Sequence, residues 1–321
     1  MAAPDQTASR LGQVNKAGGD DALFLKVFSG LVLSRFKEKS VTEGRVVERE
    51  ISNGKSATFP AIGATTSGLH TPGTYIVGDA IGHNEATIEI DGLLLAKTFV
   101  AKIDELENYF DVRSEYANEM GQSLAFGQDK LRLQIMLNGA AVTTPNVTAV
   151  AGETNKIGYQ LNSTNSDTVA ADLKTAMFDV AQNFDEKDVP DEDRFIYMKP
   201  AQYYMLVENQ SFMNRDFGGS GSENTGDLAQ FGAGMRIVKC NHVPTGNLAS
   251  EIATKYNGDF RNTVAVASHR SGAGTLRLLG LQTESEYLIT NQGHLMVAKL
   301  ATGHDILRPE SCAQIRTATP V

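Results

Sequence analysis

Residues Ile103–Asn138 read IDELENYFDVRSEYANEMGQSLAFGQDKLRLQIMLN, and this stretch decides what kind of fold the chain can build. Ile103, Leu106, Phe110, Ala117, Met120, Leu124, Leu131 and Ile135 recur at spacings of three, four or seven, which places them on one stripe of an α-helix. Asp104 can cap the start, with Glu107 three residues on in a capping-box arrangement, and Asn138-Gly139 supplies the stop. At the α-helical rise such a helix spans roughly 50 Å, long for a globular domain and suited to a structural beam.

Upstream of the beam, Leu23–Phe36 (LFLKVFSGLVLSRF) is too densely apolar for a simple surface helix and predicts a segment buried against something else. Arg45–Pro60 reads as an extended strand. Gly63, Gly68, Gly73, Gly78 and Gly82 then punctuate a Thr-rich stretch, and a return strand begins near Glu85, with Ala86, Ile88 and Ile90 alternating against Thr87 and Glu89. The pattern is a long hairpin with an extended tip. Loops beyond about 12–15 residues are uncommon in compact domains unless functional, so the tip either orders on a neighbouring subunit or stays a solvated loop.

Downstream, Ala140–Asn165 is polar, with loops and short strands expected. A second amphipathic helix follows, capped near Ser166 or Asp167 and carrying Val169, Leu173, Ala176, Met177, Val180 and Phe184. A turn at Val189–Glu192 precedes a short strand at Arg194–Met198, and Pro200 fits the first turn of a third helix through Glu208. Asn214–Asn224 is a glycine-rich loop candidate, Met235–Val243 and Asn262–His269 alternate as strands, and Thr275–Glu310 continues in extended segments. Helices and strands mix without regular βα alternation, which makes the class α+β.

The chain has 321 residues, 41% of them hydrophobic, ample for a sizeable core. Its 29 Lys and Arg against 38 Asp and Glu leave a net charge of -9, so there is no basic field for gripping nucleic acid. Cys240 and Cys312 form no CxxC or cluster and read as packed, reduced thiols. The polar stretch Met1–Asp21 lacks the apolar run of a signal peptide, and no segment approaches the roughly 20 apolar residues of a membrane span. The expectation is a soluble protein of a reducing cytoplasm.

Motifs for chemistry fall short. Asn53-Gly54-Lys55-Ser56 carries the end of a phosphate-binding loop, but Arg49 stands where its first glycine belongs. Gly272-Ala273-Gly274 lacks the third glycine of a dinucleotide fingerprint and reads as a tight turn. His70, His83, His242, His269, His294 and His304 show no metal-ligand spacing, and no GxSxG elbow marks a nucleophile. The sequons at Asn146 and Asn162 carry no weight without a secretory signal. No catalytic residue, cofactor or metal is nominated.

Several blocks together resemble the major capsid proteins of the T7-like podoviruses. They are LFLKVFSG (Leu23–Gly30), SNGKSATFP (Ser52–Pro60), IDGLL (Ile90–Leu94), FDVRSEY (Phe110–Tyr116), GQSLA (Gly121–Ala125), HRSGAGTLRL (His269–Leu278) and AKLATGHDILRPE (Ala298–Glu310). They occur in family order, while about Ala140–Phe260 is more loosely similar. The resemblance implies an HK97-like shell fold. Its parts would be an N-terminal arm (residues 1–50), an extended-loop hairpin (51–100), the spine helix of the peripheral domain (101–140), a mainly axial domain (141–260) and a return to the peripheral domain (261–321).

It also implies a structural, non-enzymatic protein that self-assembles as hexamers and pentamers into an icosahedral shell around phage double-stranded DNA, expanding from a procapsid. T=7 geometry is the family expectation. The implied partners are further copies of the chain, a separate scaffolding protein, a portal at one vertex, DNA contacted non-specifically, and a decoration protein as a further candidate. Lys55 and Phe59 on the hairpin, Arg113 and Glu115 on the spine, and Arg308 and Glu310 near the end are the expected inter-subunit residues. Covalent Lys-to-Asn chain mail is not expected, because no motif marks its partners. An encapsulin-like compartment or an enzyme with an unrecognised site are the alternatives.

Overall fold

The computed structural model describes residues 22–63, 65, 67–78, 81–103, 112–145, 156–209, 231–251 and 253–318. Asp104, Glu107, the Asn146 sequon and the Asn214–Asn224 loop lie outside them. The chain divides into two units, one of residues 1–40, 93–125 and 280–300, the other of 41–92, 126–279 and 301–321.

In chain order the main elements are α1 (Ala22–Lys39), β1 (Val47–Glu50), β2 (Ser56–Ile62), β3 (His83–Glu89), β4 (Gly92–Ala101), α2 (Val112–Ala141), β5 (Tyr159–Asn162), α3 (Ala170–Glu186), β6 (Arg194–Met198) and α4 (Pro200–Glu208). There follow β7 (Phe231–Gly232), β8 (Met235–Lys239), β9 (Asn247–Leu248), β10 (Gly258–Asp259), β11 (Thr263–His269), β12 (Ala273–Leu288), β13 (Gly293–Ile306) and β14 (Cys312–Arg316).

The larger unit is built on a six-stranded mixed sheet of order β5-β14-β11-β6-β8-β7. β6 and β11 are buried on both faces, which requires cover on each side. Ile196 and Met198 of β6 face Leu173, Met177, Val180 and Phe184 of α3. Phe195 and Tyr197, one residue out of step, face Leu133 and Leu137 of α2 together with Tyr256 and Phe260. The period-2 alternation of one strand thus separates two hydrophobic cores.

In the smaller unit, Val32 and Phe36 of α1 pack with Ala117, Met120 and Leu124 of α2, and with Val100, Met296, Ala298 and Leu300 of the strands. A Cβ on Gly121 would meet the Val32 carbonyl oxygen at 2.6 Å, so this glycine is what lets the two helices approach. The densely apolar Leu23–Phe36 segment is therefore a helix, and of its described apolar positions Val32 and Phe36 are buried, Leu31 is half-buried and Leu33 is exposed.

The four-stranded sheet has the order β1-β12-β13-β4, with β1 parallel to β12 from Val47↔Gly274 to Glu50↔Arg277. Arg45–Pro60 is two strands instead of one. Gly54 (φ 110°) turns the chain between β1, which joins β12, and β2, which pairs antiparallel with β3. The expected turn at Gly272-Ala273-Gly274 also shifts. Ala273 already opens β12, and Gly274 lies inside the strand, where a Cβ would strike Ile88 and Leu307 at 2.7–2.9 Å.

Two helix boundaries differ from expectation for tertiary reasons. α2 runs through Asn138-Gly139 to Ala141. Asn138 turns its amide outward to donate to the Lys255 and Asn257 carbonyls (2.7 and 3.2 Å), and Gly139 sits against Cys312, whose Sγ would be 3.1 Å from a Cβ. At the start of α3 the cap position is Val169, without a side-chain cap, while the Ser166 hydroxyl donates to the Ser163 carbonyl within the preceding turn.

Candidate assembly surfaces

The connector between α1 and β1 is held to the beam by one acidic residue and one basic residue a turn apart. Asp129 of α2 accepts from the Val41 and Thr42 amides (2.8 and 3.1 Å) and from the Thr42 hydroxyl. Arg132, with a side chain 0% exposed, reaches Glu43 at 3.1 Å and Glu48 at 3.0 Å. Arg277 of β12 engages the same two carboxylates at 2.9 and 3.2 Å and adds Glu50 at 3.4 Å. Burial pushes the Glu43 carboxyl up, but the two guanidiniums outweigh it and hold the group below the ordinary carboxylate value.

From this node the hairpin extends. Its base is fixed by the Ile51 amide donating to the Arg277 carbonyl (2.9 Å) and the Asp91 amide donating to the Thr302 carbonyl (3.3 Å). The Asp91 carboxylate pairs with Lys255 at 2.6 Å and accepts from the Tyr256 hydroxyl. A Cβ on Gly303 would lie 1.9 Å from the Glu89 carbonyl oxygen, so only glycine lets β13 pass the hairpin end.

Beyond the base, β2 and β3 pair in unbroken register from Ser56↔Glu89 to Ile62↔His83, a ladder of about 24 Å at the antiparallel strand rise. Lys55 lies at its foot in an exposed pair with Glu89 (3.4 Å). Phe59 is half-buried, with Ala57 and Ala86 beside Ile88 and with the Arg49 guanidinium 5.7 Å from its ring. Past Ile62, apolar side chains stand in solvent: Leu69, Tyr75, Ile76 and Val77 are each more than four-fifths exposed. Large exposed apolar patches mark interaction sites. The signal was in the sequence, as the Thr74-Tyr75-Ile76-Val77 run, masked there by the surrounding glycines.

The remaining expected contact residues lie elsewhere. Glu115 is exposed in the first turn of α2, and Arg113 is in the same turn. Arg308 is exposed at the start of the 3-10 turn Pro309–Ser311, and Glu310 is half-buried near Lys187, whose amine burial pushes below its ordinary value against the opposing pull of that carboxylate. Here two of the sequence blocks meet. The Leu307 and Arg308 amides donate to the Gly272 carbonyl, Ser271 and Ser311 share a hydrogen bond (3.2 Å), and Gly272 packs against Cys312. The HRSGAG and RPE blocks thus form one joint.

An open notch of about 740 Å³ beside α3 is floored by Arg194, whose guanidinium is engaged by Asp185, Asp191 and the carbonyls of Val189 and Pro190. Among the described residues no three His, Cys, Asp or Glu side chains are set to hold a metal, and no helix is long and apolar enough to cross a membrane.

The family model described as Gp10A-like major capsid protein matches residues 58–316, from the first hairpin strand to the last residue of β14. The chain belongs to this family of major capsid proteins. The major capsid protein of Escherichia phage T7 is 30% identical, with 98% of both chains covered. The capsid structure of cyanophage P-SCSP1u is 34% identical, with a TM-score of 0.77 over 98% of this chain and all of that one. The mature capsid of bacteriophage PhiM1, at 15% identity, shares the fold with a TM-score of 0.72 over 88% of each chain. This Gp10A-like protein therefore has the HK97-type fold and serves as a phage shell subunit. The encapsulin-like alternative is not favoured, since the family and the relatives of similar sequence are phage head proteins.

Proposed function

We propose that copies of this chain close into hexamers and pentamers, forming an icosahedral head around double-stranded DNA, and that the β2–β3 hairpin is the part that laps a neighbouring copy. The observation that carries this reading is the solvent-facing Leu69, Tyr75, Ile76 and Val77 at the tip of a regular ladder. Burying four such side chains in an interface is worth about 1.5–3 kcal/mol each before ordering costs. That suits the permanent contacts of a shell, whose head-to-tail interfaces must close to avoid open filaments. On this reading residues 1–50 act as the arm, 51–100 as the extended loop, 101–140 as the spine, 141–260 as mainly the axial domain and 261–321 as the return.

Lys55, Phe59, Arg113, Glu115, Arg308 and Glu310 are proposed as contact residues, with the exposed Lys55, Glu115 and Arg308 the strongest of them. The family resemblance supports assembly in the host cytoplasm on a separate scaffolding protein, a portal at one vertex and non-covalent joints. The charge of -9 suits a wall that confines DNA without gripping it.

Negative-stain microscopy and sedimentation of the full chain, expressed with its scaffold, test the reading. Uniform shells are expected. Tyr75→Ser combined with Ile76→Ser should leave the subunit folded and raise the concentration needed for shells at least tenfold. Shell formation by that variant at the unchanged concentration would remove the hairpin tip from the mechanism.

A further inference from the structure

His304 on β13 is 1% exposed, and both ring nitrogens face hydroxyls: Nδ1 is 3.0 Å from Thr275 Oγ1 and Nε2 is 3.4 Å from Thr302 Oγ1. Gln128 of α2 donates to that same Thr302 oxygen at 3.2 Å. The Thr302 proton is therefore left to point at Nε2, and the network is satisfied by a neutral imidazole that donates from Nδ1 to Thr275. The edge of the Tyr256 ring closes the site.

The charges around this imidazole are lopsided. Arg132 of α2, Lys255 of a short 3-10 turn at Thr254–Tyr256 and Arg277 of β12 all oppose a proton on it. The nearby acids have other partners. Glu43 and Glu48 of the connector hold the two arginines, Asp91 at the hairpin base holds Lys255 and Tyr256, and Asp305 accepts from the Ile306 amide. No carboxylate hydrogen-bonds the imidazole among the described residues.

The two residues of β13 that precede His304 hold the base of the hairpin. Thr302 accepts the Asp91 amide through its carbonyl, Gly303 lies against the Glu89 carbonyl, and His304 follows. We propose that His304 is an acid-sensitive joint: protonation of its imidazole disrupts the Thr275–His304–Thr302–Gln128 chain and frees the base of the hairpin. Its consequence for a shell rests on the reading given above, because a hairpin freed at its base could change its hold on a neighbouring copy.

The direction follows from linkage. Burial, reinforced by the three cations, holds the imidazole well below its ordinary value of 6.5, so the opened form takes up a proton that the closed form refuses. Closure is unaffected above pH 6.5 and weakens as pH falls from there toward the depressed value. One proton linked to opening changes the opening equilibrium by at most tenfold per pH unit.

Amide exchange on the full chain, as free subunits and as particles, tests this with protection factors between about pH 7.5 and 4.5. In the wild type, protection at Ile90 and Asp91 should be flat above pH 6.5 and fall up to tenfold per unit below it. In His304→Gln it should stay flat until the carboxylates titrate. An unchanged pH profile in that variant overturns the joint. Histidine C2-proton exchange on the wild-type chain reads the titration directly and covers the case in which the variant fails to fold. A His304 midpoint at or above 6.5 overturns the proposal, and Lys255→Met should move the midpoint upward. Failure to form particles would count against the shell reading alone, because exchange in free subunits still decides the joint.

Discussion

Arg277 makes three ion pairs and Arg132 makes two, yet Arg132 should matter more. Arg132→Met removes a cation that is 0% exposed and strips Glu43 and Glu48, about a quarter exposed, of their inner partner. Removing one member of a buried pair costs about 3–5 kcal/mol, and the lower end applies because both carboxylates keep Arg277. Arg277→Met takes away a side chain that is 23% exposed, leaves Arg132 paired to both acids, and loses a bond to Glu50, which is 75% exposed. Its cost should be about 1 kcal/mol.

The chain has no tryptophan, so urea unfolding of the free subunit is best followed by circular dichroism. With a slope of about 3 kcal/mol/M, Arg132→Met should lower the midpoint by about 1 M and Arg277→Met by about 0.3 M. Raising salt should erode the Arg277 effect more than that of Arg132, since screening acts on exposed charge. Equal midpoints for the two variants, or a larger loss in Arg277→Met, would refute the argument that burial and not the number of ion pairs sets the energy.

Two further outcomes follow from the packing. Gly303→Ala should destabilise the subunit by more than 1 kcal/mol, because its Cβ would overlap the Glu89 carbonyl, whereas Gly280→Ala in open space on β12 should be neutral; thermal melts of both decide it. Burial pushes the Cys240 thiol up to about 11 and the Cys312 thiol up to about 12. At pH 8 both should therefore resist a thiol-specific reagent in the native subunit and react together in denaturant; rapid labelling of either in the native state would contradict their placement.

The sequence by itself determined the elements whose signal is local and periodic. The beam stripe from Ala117 to Ile135, the α3 stripe from Leu173 to Phe184, Pro200 at the start of α4 and the alternation of β3 survive because a helix or strand face is fixed by residues within a few positions of each other, whereas Ile103 and Val169 are exposed ahead of their helices and Leu106 and Phe110 lie outside the described residues. The ordered blocks carried the family, and with it the HK97-type fold. Local signals failed where tertiary partners outbid them. Asn138 and Gly139 read as a helix stop, but the Asn138 amide serves Lys255 and Asn257, and Gly139 makes room for Cys312.

The proposed assembly surface divides in the same way. Lys55 and Glu115 are legible as exposed charges, while Phe59 is shared with its own hairpin cluster, and the apolar tip shows itself only once the ladder exposes it. Each ion pair that joins Arg132 or Arg277 to Glu43 or Glu48 links residues more than 80 positions apart along the chain, and His304 is buried near them. No spacing rule reaches that far, so only the tertiary structure could reveal that these charges meet, and that a neutral histidine stands among cations.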